Sequence, residues 1–125
     1  MERVLGIGGV FFRSERPEEL RAWYARHLGV ELQPYGGATF RAEAGDVTVW
    51  HAFDAGTEYF PREQAVMLNY RVRDLDAMLT QLRAGGVEVK DEVEDSEHGR
   101  FGWAKDLEGR LLELWQPPPE VYPEG

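Results

Sequence analysis

One carboxylate in the chain has the surroundings of a functional group, because apolar residues flank it in a predicted terminal strand. Glu113 lies in the segment 110–115, where strand alternation places Leu111, Glu113 and Trp115 on one face. A desolvated carboxylate among aromatic rings can act as a catalytic base or anchor a cationic ligand. If Glu113 instead pairs with an arginine such as Arg71, it only orients the strands. The sequence leaves both roles open.

Three further candidate residues alternate on one face of a strand predicted at residues 65–72. They are Met67, Asn69 and Arg71. An amide in an otherwise apolar strand needs hydrogen-bond partners. Asn69 could therefore contact a ligand or bond to the neighbouring half of the chain. Arg71 could bind a ligand carboxylate or neutralise Glu113.

A histidine offers a second group that could bind a metal ion. His51 shares its alternation face with Val47 and Val49, so it is either a packed side chain or a ligand. A metal-binding histidine normally has further protein partners. These residues establish no cofactor. The alternative is a divalent metal ion bound by Glu113 and His51, which could be zinc, nickel, manganese or iron.

Large aromatic rings are concentrated in the predicted strands and the connection between them rather than in the helices. Such rings suit a planar or cationic organic ligand through stacking and cation–π contact. The same rings could fill a core or a dimer interface. The rings that we assign to a ligand site are Trp50, Phe101, Trp103 and Trp115.

Composition limits the class of protein. The chain has 125 residues, 42% hydrophobic and 30% charged, which indicates one globular domain over residues 1–125. Its net charge of −9 argues against nucleic-acid binding. No apolar stretch approaches the roughly 20 residues of a membrane span. Because the chain has no cysteine, a reducing compartment is compatible, and we expect a cytoplasmic protein.

One supersecondary pattern occurs twice, with Gly-Val-Glu at residues 29–31 and again at 86–88. Each copy reads as a strand, an amphipathic helix, a glycine stop and three short strands, which predicts an α+β fold. The two βαβββ repeats span residues 4–53 and 65–116. Each helix has one apolar stripe and should cover one face of its sheet, leaving the other face for a cleft. The strands are predicted at 4–12, 30–34, 38–43, 47–53, 65–72, 87–93, 100–105 and 110–116.

Two motifs resemble the vicinal oxygen chelate superfamily of glyoxalase I, bleomycin-resistance proteins and extradiol dioxygenases. The first helix ends with WYARHLG at residues 23–29, and the last hairpin reads KDLEGRLLELW at residues 105–115. The resemblance covers nearly the whole chain. It implies two repeats that form a curved mixed sheet around a cleft, and a homodimer as the assembly.

The metalloenzymes of this superfamily take ligands from equivalent strands of both halves. The resemblance places the last-strand carboxylate at Glu113, but the other ligands fall at Gly8 or Gly9, near Met67 and near residues 49–51. This pattern predicts a degenerate metal site. The leading hypothesis is a protein that binds a small organic ligand, such as an antibiotic, in an aromatic cleft. The alternative is a metal-dependent lyase, isomerase or dioxygenase with Glu113 as a catalytic residue.

Overall fold

Two helices and one four-stranded sheet make up the regular structure of the described residues. The computed structural model describes residues 1–3, 5 and 7–119. The elements are α1 (Pro17–Leu28), β1 (Asn69–Arg71), α2 (Leu75–Ala84), β2 (Glu94–Ser96), β3 (Gly99–Lys105) and β4 (Leu111–Gln116). The sheet has the order β1-β4-β3-β2, with β1 parallel to β4 and the other pairs antiparallel. The predicted α+β class with a mixed sheet is confirmed.

Local sequence signals mark the ends of both helices. Pro17 is the first residue of α1, a position where the backbone N–H has no partner within the helix, so proline loses no hydrogen bond there. Gly29 follows the last helical residue and adopts the left-handed conformation with φ of 69°. Asp74 caps α2 by accepting a hydrogen bond from the Ala77 amide at 3.0 Å. These local signals confirm the predicted helices.

The core lies between the two helices and one face of the sheet. The largest fully buried side chains are leucines of α2 and β4. Because alternate residues of a strand point to opposite faces, Leu112 and Leu114 enter this core while Leu111, Glu113 and Trp115 face the other way. The second face of the sheet therefore holds the candidate site. The core residues are Leu20, Tyr24, Leu75, Leu79, Leu82, Ala104, Leu112 and Leu114.

The strands predicted for the first repeat are not formed between residues 7 and 64, and residues 4 and 6 lie outside the described residues. Turns are present between the predicted strands, and in one of them the Gln33 amide donates to the Gly37 carbonyl at 2.7 Å. The side chains between the turns are exposed, including Phe40 and Trp50. A hairpin without a covered apolar face is marginal in water. The division into repeats at 4–53 and 65–116 stays a prediction.

The strand predicted at residues 87–93 is displaced along the chain. Val89 makes an isolated bridge to Ala104, and β2 begins only at Glu94. The exposed acidic residues between them interrupt the ladder. None of the helices in the described residues is long and apolar enough to cross a membrane.

Candidate functional site

Three predicted site residues form a row across the sheet face that lies away from the helices. The register places Asn69 of β1 beside Glu113 of β4, and Glu113 beside Trp103 of β3. We call Asn69, Glu113 and Trp103 the acid row. Since the ladder hydrogen bonds fix this register, the three side chains are held in place by the sheet itself.

Both carboxylate oxygens of Glu113 accept hydrogen bonds, and this residue is only 6% exposed. Trp103 Nε1 donates to Oε2 at 2.9 Å, and Asn69 Nδ2 donates to Oε1 at 2.8 Å. The hydroxyl of Tyr59 also donates to Oε2. An ionised carboxylate has about four acceptor positions, and these three donors occupy three of them. None of the ion pairs among the described residues includes Glu113.

Tyr59 lies in residues 54–64, which connect the two predicted repeats. Its ring meets Trp103 edge-on, with centroids 6.1 Å apart and planes at 79°. Burial and the hydrogen bond to Glu113 raise the pKa of Tyr59 well above its ordinary value, so the phenol keeps its proton at neutral pH. The sequence missed this contact because residues 54–64 have no periodicity. A tyrosine beside Phe60 was the only signal.

The same segment is fixed to β4 at a second point. Gln64 Nε2 donates to the Leu111 carbonyl at 2.7 Å, and the Leu111 amide donates to Gln64 Oε1 at 2.9 Å. The side-chain amide thus pairs with both backbone groups of Leu111, as a neighbouring strand would. We call residues 59–64 the strap.

A second row lies beside the acid row and contains Arg71, Trp115 and Phe101. The rings of Phe101 and Trp115 stack, with centroids 6.1 Å apart and planes at 11°. Arg71 Nη1 donates to the Val47 carbonyl at 2.6 Å, and Nη2 lies 3.6 Å from Asp46 Oδ2. The ion pair between Arg71 and Glu113, one of the two interpretations of the sequence, is therefore not formed.

The other predicted site residues lie outside the two rows. Trp50 is 79% exposed, and Met67 is half-buried. The ring centroids of His51 and Phe53 are 4.5 Å apart, and those of Phe53 and Tyr59 are 5.5 Å apart. His51 is thus linked to the acid row through two intervening rings.

A depression of about 460 Å³ adjoins the strap at this point. Small-molecule sites usually have volumes of about 300–1,000 Å³. Phe53 forms one wall and connects the depression to Tyr59. The depression is lined by His51, Ala52, Phe53, Asp54, Gly56 and Thr57.

The divalent ion that the resemblance implied does not fit these residues. In the described part of the chain, no three His, Asp or Glu side chains converge, whereas a catalytic ion takes about three protein ligands. Glu113 instead accepts hydrogen bonds from Asn69 and Trp103 and, among the described residues, does not belong to a cluster of metal ligands. His51 and Glu113 form no ion pair within the same described residues. This arrangement suits a hydrogen-bonded ligand.

Comparisons with known proteins agree with this fold. A solved antibiotic-binding protein from Streptomyces sp. CB03234, TnmS3, is 21% identical with a TM-score of 0.53, covering 84% of this chain and 88% of its own. A glyoxylase/bleomycin resistance protein/dioxygenase domain from Frankia sp. EAN1pec is 15% identical with a TM-score of 0.56, covering 93% and 100%. The comparison with curated proteins gave no match.

A family model decides the assignment. The model of the glyoxalase-like domain matches residues 9–115, which include both helices, the strap and the four strands except Gln116 at the end of β4. The two motifs at residues 23–29 and 105–115 fall inside this match or end with it. The chain therefore belongs to the glyoxalase-like domain family, within the vicinal oxygen chelate superfamily.

Proposed function

We propose that this protein binds a planar, cationic organic molecule next to Glu113 and does so without a metal ion. The observation that carries the proposal is the acid row, in which three neutral donors surround a buried carboxylate without cancelling its charge. Burying an ion is costly unless an opposite charge approaches it. A cationic ligand would supply that charge and donate a hydrogen bond to Glu113.

The aromatic surroundings support a planar ligand. Phe53 and Tyr59 stand between the depression and the acid row, and each is partly exposed. Trp103 and Trp115 are 8% and 4% exposed, so they support the site from beneath rather than offering a free surface. A flat cation in the depression could stack on Phe53 and reach Glu113 beside Tyr59.

The solved structures add a further reason. TnmS3 is described as an antibiotic-binding protein, and the Frankia domain is described with the bleomycin-resistance proteins. An antibiotic that is flat and positively charged is therefore a concrete candidate for the ligand of this chain. Sequestration of such a molecule would need tight binding but no chemical step, which agrees with a site that lacks converging metal ligands.

Titration with planar cations tests the proposal. Isothermal calorimetry with proflavine should give a saturable heat for the wild type. We expect the affinity to fall about tenfold or more in Glu113→Gln, because the variant keeps the shape but loses the charge. Asp91→Asn removes an exposed charge elsewhere and is the matched control. Equal affinities for all three proteins would refute Glu113 as the anchor, and no heat at all would refute the function.

We further propose that the protein works as a homodimer. In the described part of the chain, fourteen of the fifteen exposed large apolar side chains lie between residues 1 and 66. Contiguous apolar surface on a monomer usually marks an interface. A second copy could cover Phe11, Phe40 and Trp50, and could provide partners for the segments predicted as strands.

Light scattering coupled to size-exclusion chromatography tests this assembly. A particle of twice the chain mass of 14.3 kDa is expected, and Trp50→Glu should shift it toward the monomer because a charge would enter an apolar interface. A monomer at all concentrations would refute the dimer. A cytoplasmic location stays a prediction.

A further inference from the structure

The three donors to Glu113 differ in what holds them. Asn69 lies on β1 and Trp103 on β3, so the ladder hydrogen bonds of the sheet fix both of them. Tyr59 lies on the strap, which has no strand pairing. The backbone that carries Tyr59 can therefore move without breaking strand pairing, whereas the backbones of Asn69 and Trp103 cannot.

The anchoring of the strap is also uneven. Gln64 is fixed by two hydrogen bonds to the Leu111 backbone, whereas Tyr59 is fixed through its ring and hydroxyl. A turn, closed by the Gln64 amide bonding to the Pro61 carbonyl at 3.0 Å, separates the two ends. Motion of the Tyr59 end would therefore leave the Gln64 end in place.

The position of Tyr59 also matters for access. Tyr59 is 37% exposed and covers a carboxylate whose residue is 6% exposed. Its ring contacts Phe53 on the wall of the depression. Along this series of contacts, Tyr59 lies between Phe53 and Glu113.

We propose that Tyr59 determines the specificity of the site, because its hydroxyl occupies Glu113 Oε2 in the ligand-free chain and is displaced only by a ligand that donates to the same oxygen. This inference rests on the proposed function. A ligand that brings its own N–H or O–H donor replaces the lost hydrogen bond. A ligand of the same shape without such a donor cannot replace it, so it leaves Tyr59 in place and binds more weakly. The favoured class is thus a flat cation with amino or hydroxyl groups on its edge.

Two dyes test this statement on the full chain. Proflavine and 10-methyl acridine orange share a planar cationic ring system, but every nitrogen of the second dye is methylated and carries no N–H. We expect Tyr59→Phe to bind proflavine about tenfold more tightly than the wild type, since the competing hydroxyl is gone. The affinity for 10-methyl acridine orange should change less than about twofold, because this dye leaves Tyr59 in place. Tyr35→Phe, at an exposed tyrosine bonded to Thr39, is the matched control and should leave both affinities unchanged.

A second measurement works without any ligand. A water-soluble carbodiimide with an added amine labels accessible carboxylates, and peptide mapping reports the labelling rate at Glu113. We expect Tyr59→Phe to raise that rate about fivefold or more relative to Tyr35→Phe, because the covering hydrogen bond is lost. Far-ultraviolet circular dichroism confirms that each variant is folded.

The outcomes separate the two proposals. If the labelling rate at Glu113 is unchanged in Tyr59→Phe, the proposal that the Tyr59 hydroxyl covers this carboxylate is wrong, even if the dyes bind. Faster labelling with unchanged proflavine affinity would make Tyr59 a structural cover and overturn its role in specificity. Failure of both dyes to bind any of the proteins would overturn the proposed function and the specificity role with it.

Discussion

Replacing Tyr24 by phenylalanine removes one oxygen atom from the contact between α1 and the last hairpin. The Tyr24 hydroxyl donates to Asp106 Oδ2 at 2.8 Å, and both residues are buried, at 8% and 6% exposure. The other donors to Asp106 are the amides of Glu108 and Arg110 and the Arg110 guanidinium. A hydrogen bond to a charged group contributes about 1.5–3 kcal/mol. Because phenylalanine keeps the ring packing, we expect Tyr24→Phe to lose about 2 kcal/mol of unfolding free energy at pH 7.

This difference should depend on pH in a defined direction. Burial, the neighbouring Tyr70 and the Asp106 carboxylate raise the pKa of Tyr24 far above its ordinary value of 10.0. Below pH 10 the phenol is protonated in both states, and its contribution is fully present. Above pH 10 the unfolded chain loses this proton while the native chain keeps it. The advantage of the wild type should then shrink by about 1.4 kcal/mol per pH unit.

Urea unfolding followed by tryptophan fluorescence measures both effects, since Trp103 and Trp115 are buried reporters. The wild type and Tyr24→Phe are compared at pH 7, 10 and 11. Tyr59, whose pKa is also raised, ionises in the unfolded chain of both proteins and largely cancels in the difference. The control Tyr35→Phe should stay within about 0.5 kcal/mol of the wild type at pH 7. A difference between the wild type and Tyr24→Phe that is absent at pH 7, or constant up to pH 11, would refute the reasoning.

The hydrogen bond between Tyr24 and Asp106 also explains why two short motifs indicated the fold. Residues 23–29 and 105–115 are far apart in sequence, yet one buried hydrogen bond joins them. Each motif also carries a local signal, a glycine that ends a helix and a glycine that closes a hairpin turn. Gly29 and Gly109 both have positive φ, at 69° and 83°. Helices and hairpins with such signals can be predicted because their hydrogen bonds are local.

The register of the sheet could be predicted only in part. Alternation correctly separated Glu113 from Leu112 and Leu114, because side chains along a strand alternate regardless of its neighbours. The positions of Asn69 and Trp103 on either side of Glu113 depend on how three strands align. Pairing between distant strands leaves no short-range pattern in the sequence, so these neighbours could not be predicted. The charge of Arg71 made it a reasonable partner for Glu113. In the structure it donates instead to the Val47 carbonyl, and Val47 is 24 residues away along the chain.

The first half of the chain shows the limit of strand patterns. Its apolar residues alternate with polar ones, but a strand forms only where a partner supplies the ladder hydrogen bonds. Within the described residues, the apolar side chains of this half remain mostly exposed. Tyr59 illustrates the same limit in the site, because nothing local in residues 54–64 indicates the carboxylate that it contacts.

Two further pairs of variants test the sheet that carries the site. Glu113→Leu leaves the Trp103 indole N–H without an acceptor and should lose about 2–3 kcal/mol of unfolding free energy, whereas Glu113→Gln, which still accepts, should lose about 1 kcal/mol. Equal losses in urea unfolding would contradict the acceptor role. At Gly99, φ is 115° and an added Cβ would collide with the Gln116 carbonyl. At Gly109, φ is 83° but the surrounding space is open. Gly109→Ala bears only the conformational cost of about 1–2 kcal/mol, so Gly99→Ala should be less stable by a further ~2 kcal/mol because the β3–β4 ladder must shift. If the two alanine variants unfold at the same urea concentration, the close approach of β4 to Gly99 is not what positions Glu113 beside Trp103.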